Sequence, residues 1–155
     1  MRKRPLWLIG LLSAAAIAAA PLPYDESADA PAAIQQALTA AKADQHAVLV
    51  VFGANWCEDC RALDQALKTG RNAELMAHEF NVVKVDVGRF NRNLPLAKAY
   101  GDPIKKGIPA AVVLSADNRV LYSTKAGELA DARRMSETGI YEFFEAVVQT
   151  ARAQR

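Results

Sequence analysis

Both cysteines of this chain lie three positions apart in Phe52-Gly53-Ala54-Asn55-Trp56-Cys57-Glu58-Asp59-Cys60-Arg61, where one periodicity gives way to another. Upstream, Val48-Leu49-Val50-Val51-Phe52 is an unbroken apolar run rich in β-branched residues, the pattern of a strand covered on both faces. Downstream, Ala62, Leu63, Ala66 and Leu67 repeat at helical spacing. The cysteines therefore belong to the first turn of a helix that leaves a buried strand. Unpaired backbone N–H groups and the positive end of the helix dipole favour an anion there, so the Cys57 thiolate gains over its thiol. Positions i and i+3 share a helical face, which lets the Cys60 sulfur attack a disulfide formed on Cys57.

The chain of 155 residues, 52% apolar and 23% charged, has the size and balance of one globular domain. Its net charge of +2 owes its sign to Arg2, Lys3 and Arg4, and no basic run interleaved with aromatics occurs elsewhere. Nothing in that balance points to nucleic acid. The basic start, the apolar stretch from Leu6 to Ala20 and the small residues at its end read as a secretory signal peptide over residues 1–20, with Ala16-Ile17-Ala18 as a small-x-small cleavage site. An uncleaved anchor is the alternative, although the stretch falls short of the roughly 20 residues that span a bilayer. No cysteine stands there to take a lipid. The expected location is periplasmic or otherwise exported. Residues 21–30, rich in proline, alanine and acids, read as a flexible leader to a domain over 31–155.

Within the domain the pattern predicts a helix from near Pro31, a strand over Ala47–Phe52 and the cysteine helix to about Thr69, with Gly70 as its stop. A short helix over Asn72–His78 and a strand over Phe80–Val87 follow, completing a βαβ unit with parallel strands. After a helix over Leu94–Tyr100 come a strand from Gly107 to Leu114, a turn at Ser115–Arg119 and a returning strand over Val120–Ser123. Ile140, Phe143, Phe144, Val147 and Val148 mark one face of a last helix. The class is α/β, a central mixed sheet of about four strands flanked by helices.

Trp56-Cys57-x-x-Cys60 after a buried strand, with Gly107-Ile108-Pro109 opening a later strand, resembles the thioredoxin fold over about Ala32 to Thr150, and exported bacterial Dsb-type members of it most of all. The resemblance implies a thiol–disulfide oxidoreductase with no cofactor beyond the redox-active Cys57–Cys60 disulfide, acting as a monomer. It implies that Ile108–Pro109 is a cis peptide bond against the cysteines and that Trp56, Ile108 and Pro109 frame a substrate groove. Protein disulfides are the implied partners, with a membrane electron donor of the Dsb type if the protein is a reductase. Two positions depart from the pattern. Val51 stands where thioredoxins carry a buried aspartate, so proton transfer to the resolving thiol must differ. Glu58 and Asp59 replace the usual residues between the cysteines, and their charge opposes the Cys57 thiolate. That lowers the expected reduction potential and predicts a reductant.

Two rival readings accompany this one. A structural disulfide that closes so short a loop constrains little of the unfolded chain. A copper or other metal-binding module built on the two thiolates lacks a histidine at ligand spacing, because His46 and His78 sit at predicted helix ends and no other histidine exists. Lys105-Lys106 and Arg133-Arg134 read as solvated pairs, Asp86 as a strand-end residue, and Met76 and Met135 as core filler.

Overall fold

The structure, a computed structural model, describes residues 21–155, so the segment read as a signal peptide lies outside the described residues. The apolar run forms β1 (Ala47–Gly53), in which every residue is buried. Such a strand must be paired on both edges and covered on both faces. One edge pairs in parallel with β2 (Phe80–Asp86), from Ala47 opposite Phe80 to Gly53 opposite Asp86. The other pairs antiparallel with β3 (Ala110–Leu114), which continues into β4 (Val120–Ser123) as an antiparallel hairpin. The sheet order is β2-β1-β3-β4, the mixed α/β arrangement expected.

The faces are covered by different helices. Val48, Val50 and Phe52 share a core with Ile34, Leu38 and Ala41 of α1 (Ala30–Asp44) and with Ala97 of α4 (Leu94–Ala99). Leu49 and Val51 point the other way, to Leu63 and Leu67 of α2 (Glu58–Leu67), Met76 of α3 (Gly70–Glu79) and Phe144, Val147 and Val148 of α5 (Glu137–Ala153). The period-two alternation of a strand thus feeds two separate cores from one element.

Element ends differ from expectation in three places. Gly70 does not stop the cysteine helix; it takes φ +49° and opens α3, so Thr69 alone separates two short helices after the Lys68 cap. β3 starts at Ala110, after Gly107 with φ +119° and the cis Ile108–Pro109 bond. The third concerns the chain before α1.

Residues 21–30 were expected as a loose leader, yet Tyr24 is buried to 3% exposure in the first core. The cause is Asn55. Its Oδ1 accepts from the Tyr24 N–H at 2.9 Å and its Nδ2 donates to the Tyr24 carbonyl at 2.8 Å, so one side-chain amide pairs both backbone groups as a neighbouring strand would. Nδ2 also donates to Glu26 at 3.1 Å, and Arg92 donates to the Glu26 carbonyl at 2.8 Å. Gly53 supplies the space, since a side chain there would run into the Tyr24 phenol. The folded unit therefore begins before the predicted boundary. Replacing Asn55 with Ala strips both partners from the Tyr24 backbone, and the expected loss is about 1–3 kcal/mol in urea unfolding, with faster proteinase K cleavage ahead of α1. Unchanged cleavage would show that the segment is held by the Tyr24 ring alone.

Candidate active site

The site forms where β1 ends and α2 begins. Cys57 is the cap of α2 rather than a residue inside its first turn: its backbone is extended at φ −79°, ψ 115°, and its Sγ accepts the Cys60 N–H at 3.1 Å. A sulfur in that place takes the position a serine or aspartate oxygen holds in other helix caps, with an N–H and the helix dipole directed at it. Cys57 and Cys60 form a disulfide with Cα atoms 5.2 Å apart. Cys57 is 6% exposed and Cys60 1%, so Cys57 is the more accessible sulfur, by a small margin in the paired state.

Register across the sheet brings the proline loop to the cysteines. Phe52 opposes Ala110, which sets Ile108 against the turn after β1, and the Ile108 carbonyl oxygen lies 3.7 Å from Cys57 Sγ. Trp56, Cys57, Glu58, Asp59 and Ile108 line an open groove of about 480 Å³ together with Phe90, Gly107, Ala130 and Arg133. Pro109, expected to frame the groove, is buried and is not among the residues that line it. Trp56 is 45% exposed, its Nε1 donating to the Gly88 carbonyl at 2.8 Å. Phe90 meets it edge-on at 6.4 Å and is itself 44% exposed, while the Arg89 guanidinium stands 5.4 Å over the Trp56 ring. Two large aromatic surfaces thus stay in water beside the disulfide.

The two acids between the cysteines are not free charges. Arg133 Nη1 donates to Glu58 Oε2 at 2.5 Å, and the Arg133 backbone N–H donates to Asp59 Oδ1 at 3.0 Å. Its Nε lies a further 3.8 Å from Asp59. Arg133 was read as part of a solvated pair; the structure corrects this by bringing it over the groove on the 3-10 turn Ala132–Arg134. Besides the small Ala130, Phe90 and Arg133 are the groove residues that sequence reasoning missed. Neither sits in a motif, and Phe90 carried only the signal of a large apolar residue in a polar turn.

Beneath the cysteines lies a second polar group. Asp64, one turn beyond Cys60 on α2, is 6% exposed and pairs with Lys68 at 2.8 Å and with Lys84 of β2. Burial pushes Lys84 down to about 8. Asp86, read as a plain strand-end residue, is buried and held by Arg92 at 3.0 Å. Among the described residues no cluster of three His, Cys, Asp or Glu side chains is placed to hold a metal ion.

Comparison with known proteins follows this geometry. A family model described as thioredoxin-like matches residues 29–116. A crystal structure of a disulphide isomerase from Xylella fastidiosa is 56% identical and covers 83% of this chain and 98% of its own, with a TM-score of 0.81. A solution structure of a thioredoxin from Thermus thermophilus is 21% identical over 74% of this chain and 80% of its own, TM-score 0.52. A DsbH oxidoreductase is 20% identical over 92% and 93%, TM-score 0.53. The last two agree in fold. None of the curated proteins matches significantly.

Arg133 is the counter-charge to the acids beside the nucleophile, so its removal leaves Glu58 and Asp59 uncompensated. An exposed pair of this kind contributes up to about 1 kcal/mol. Arg133→Ala is therefore expected to slow alkylation of reduced Cys57 by iodoacetamide at neutral pH about two- to fivefold, and Glu58→Gln to move the rate the other way. If both rates stay at the wild-type value, solvent screens the acids from the sulfur.

Proposed function

Because this chain belongs to the thioredoxin-like family and is a thiol–disulfide oxidoreductase, we propose that it works on the reducing side outside the cytosol, exchanging disulfides with protein substrates through Cys57 as nucleophile and Cys60 as resolving thiol. The observation that carries the assignment of roles is the asymmetry of the two sulfurs. Cys57 Sγ faces the groove and receives an N–H at the helix cap, while Cys60 Sγ is sealed beneath it. In the forward half-reaction the Cys57 thiolate attacks a substrate sulfur, a mixed disulfide forms, and one substrate thiolate leaves. Cys60 then bonds to Cys57 and releases the second substrate thiolate, leaving the pair oxidised and the substrate reduced by two electrons.

The acids between the cysteines support the reducing direction. Glu58 and Asp59 beside Cys57 weaken the thiolate, so the reduced state gains less stabilisation than in a pair flanked by neutral or cationic residues. Arg133 offsets part of that effect. The N-terminal sequence supports export, and an exported reductant requires electrons from a membrane carrier, of which a Dsb-type donor is the natural candidate. The relative from Xylella fastidiosa is described as a disulphide isomerase. Isomerisation is the second reading; it uses the same first step and also needs Cys57 kept reduced.

The groove matches an extended peptide. Ile108 offers a backbone carbonyl beside Cys57, and Trp56 and Phe90 offer apolar surface for residues flanking a substrate cysteine. Cys57→Ser is expected to abolish insulin reduction. Cys60→Ser is expected to retain the first attack and accumulate a mixed disulfide visible on a non-reducing gel. Equilibration against glutathione is expected to return a potential below about −180 mV; a value near −120 mV, that of the strong oxidants, would overturn the reducing assignment. Scrambled ribonuclease in the same buffer separates net reduction from isomerisation.

A further inference from the structure

Tyr24 comes from outside the strand–helix unit that carries the cysteines, yet its ring fills the space over Gly53. A Cβ at Gly53 would run into the Tyr24 hydroxyl and lie 2.9 Å from Cys60 Sγ. The phenol oxygen and the resolving sulfur therefore crowd the same narrow notch over Gly53, too small for a methyl group. Cys60 needs a partner there. Its own N–H is directed at Cys57, and among the described residues no hydrogen bond reaches the Cys60 sulfur while the disulfide is closed. At 1% exposure, a thiolate on Cys60 would be an anion in an apolar site without a donor.

We infer that Tyr24 is a positioning residue for the resolving step, its hydroxyl donating a hydrogen bond to the Cys60 sulfur as that sulfur becomes a thiolate. The inference rests on the oxidoreductase reading of the pair. In that step Cys60 gives its proton to water, the Cys60–Cys57 bond forms, and the bond from Cys57 to the substrate sulfur breaks. The departing thiolate then takes a proton from water, so protons and electrons balance without a further reagent.

The surroundings suit a permanent donor. Burial and the nearby Asp86 charge hold the Tyr24 hydroxyl well above its ordinary pKa, so it keeps its proton wherever a thiol titrates. The two hydrogen bonds from Asn55 fix the Tyr24 backbone, and the same asparagine belongs to the turn leading to Cys57. The charged groups around the ring are Lys84 and Asp86 of β2 and Asp64 of α2. Lys84 Nζ stands 5.8 Å from the ring centroid and pairs with Asp64, and Asp86 is held by Arg92. Lys84 titrates in the same range as a thiol, so the informative comparison leaves it in place.

Tyr24→Phe keeps the ring in the notch and deletes only the donor. The test mixes reduced full-length protein with excess of the aryl disulfide DTNB in a stopped-flow instrument, where the first aryl thiolate released reports attack by Cys57 and the second reports displacement by Cys60. The expected result is an unchanged first phase, a second phase slowed about tenfold at neutral pH, and a pH midpoint for that phase moved up by about one unit. The thermal midpoint and far-ultraviolet circular dichroism should match wild type, since packing is preserved. A second phase identical in rate and pH profile overturns the role of Tyr24, as does equal slowing of both phases. Release that persists in Cys57→Ser would instead overturn the oxidoreductase reading, so the two failures are distinguishable.

Discussion

The ladder that locks β1 between β2 and β3 is the constraint on which the site depends. Its pairing with β3 aligns Phe52 with Ala110, and from that register the cysteine cap and the Ile108 carbonyl meet across 51 positions of sequence. A slip of one residue would turn Val48, Val50 and Phe52 from one core to the other. The alignment is therefore enforced by apolar burial on both faces. Each such side chain contributes about 1.5–3 kcal/mol when fully buried, and β1 carries five large ones that are at most 1% exposed. The precision of the site is paid for by a strand remote from solvent.

What could be read from the sequence was whatever depends on neighbours along the chain. The buried strand, the helix that follows it, the parallel β1–β2 pair and the β3–β4 hairpin all follow from periodicity and turn residues. The cysteines and Ile108-Pro109 came from short motifs. Groups that meet only through tertiary contact were not legible. Arg133 bonds to acids 74 and 75 positions away, and Tyr24 to Asn55 across 31. An arginine pair looks solvated in any sequence until something places an acid over it. Tyr24 sits among prolines and acids whose composition marks a flexible tail, and composition cannot register that Gly53 leaves a hole of its size. Gly70 and Gly107 misled in a related way: glycine permits a positive φ without saying whether an element ends or begins there.

Gly53 and Asn55 show how one local sequence serves two purposes. Gly53 ends β1 and Asn55 lies in the turn that carries it toward Cys57, where their immediate effect is on the cysteine cap. Both also recruit the segment before α1, one by leaving space and the other by pairing its backbone. Arg61 Nη1 donates to the Asn55 carbonyl at 2.6 Å, tying the same turn to the helix that follows. The approach to the cysteines is consequently braced from three directions, by β1, by α2 and by the Tyr24 segment. A reactive sulfur at a helix cap needs such bracing, because the stabilisation it draws from the N–H and the dipole falls off within a turn.

Charge and burial act differently on the two sulfurs, and that difference gives the pair its direction. Cys57 lies under a cluster of Glu58, Asp59 and Arg133 that is largely exposed to water, where each interaction is small and salt-dependent. Its thiolate is therefore tuned mainly by the cap, with modest adjustment from the acids. Cys60 is shielded from bulk solvent, where a single hydrogen-bond donor has greater effect. The outer sulfur thus faces the groove, whereas the inner one is covered by the groups packed against it. On the proposed exchange, a mixed disulfide on Cys57 has a lifetime set by the interior of the protein rather than by the solvent, and that lifetime decides whether a substrate leaves reduced or has time to rearrange its own disulfides.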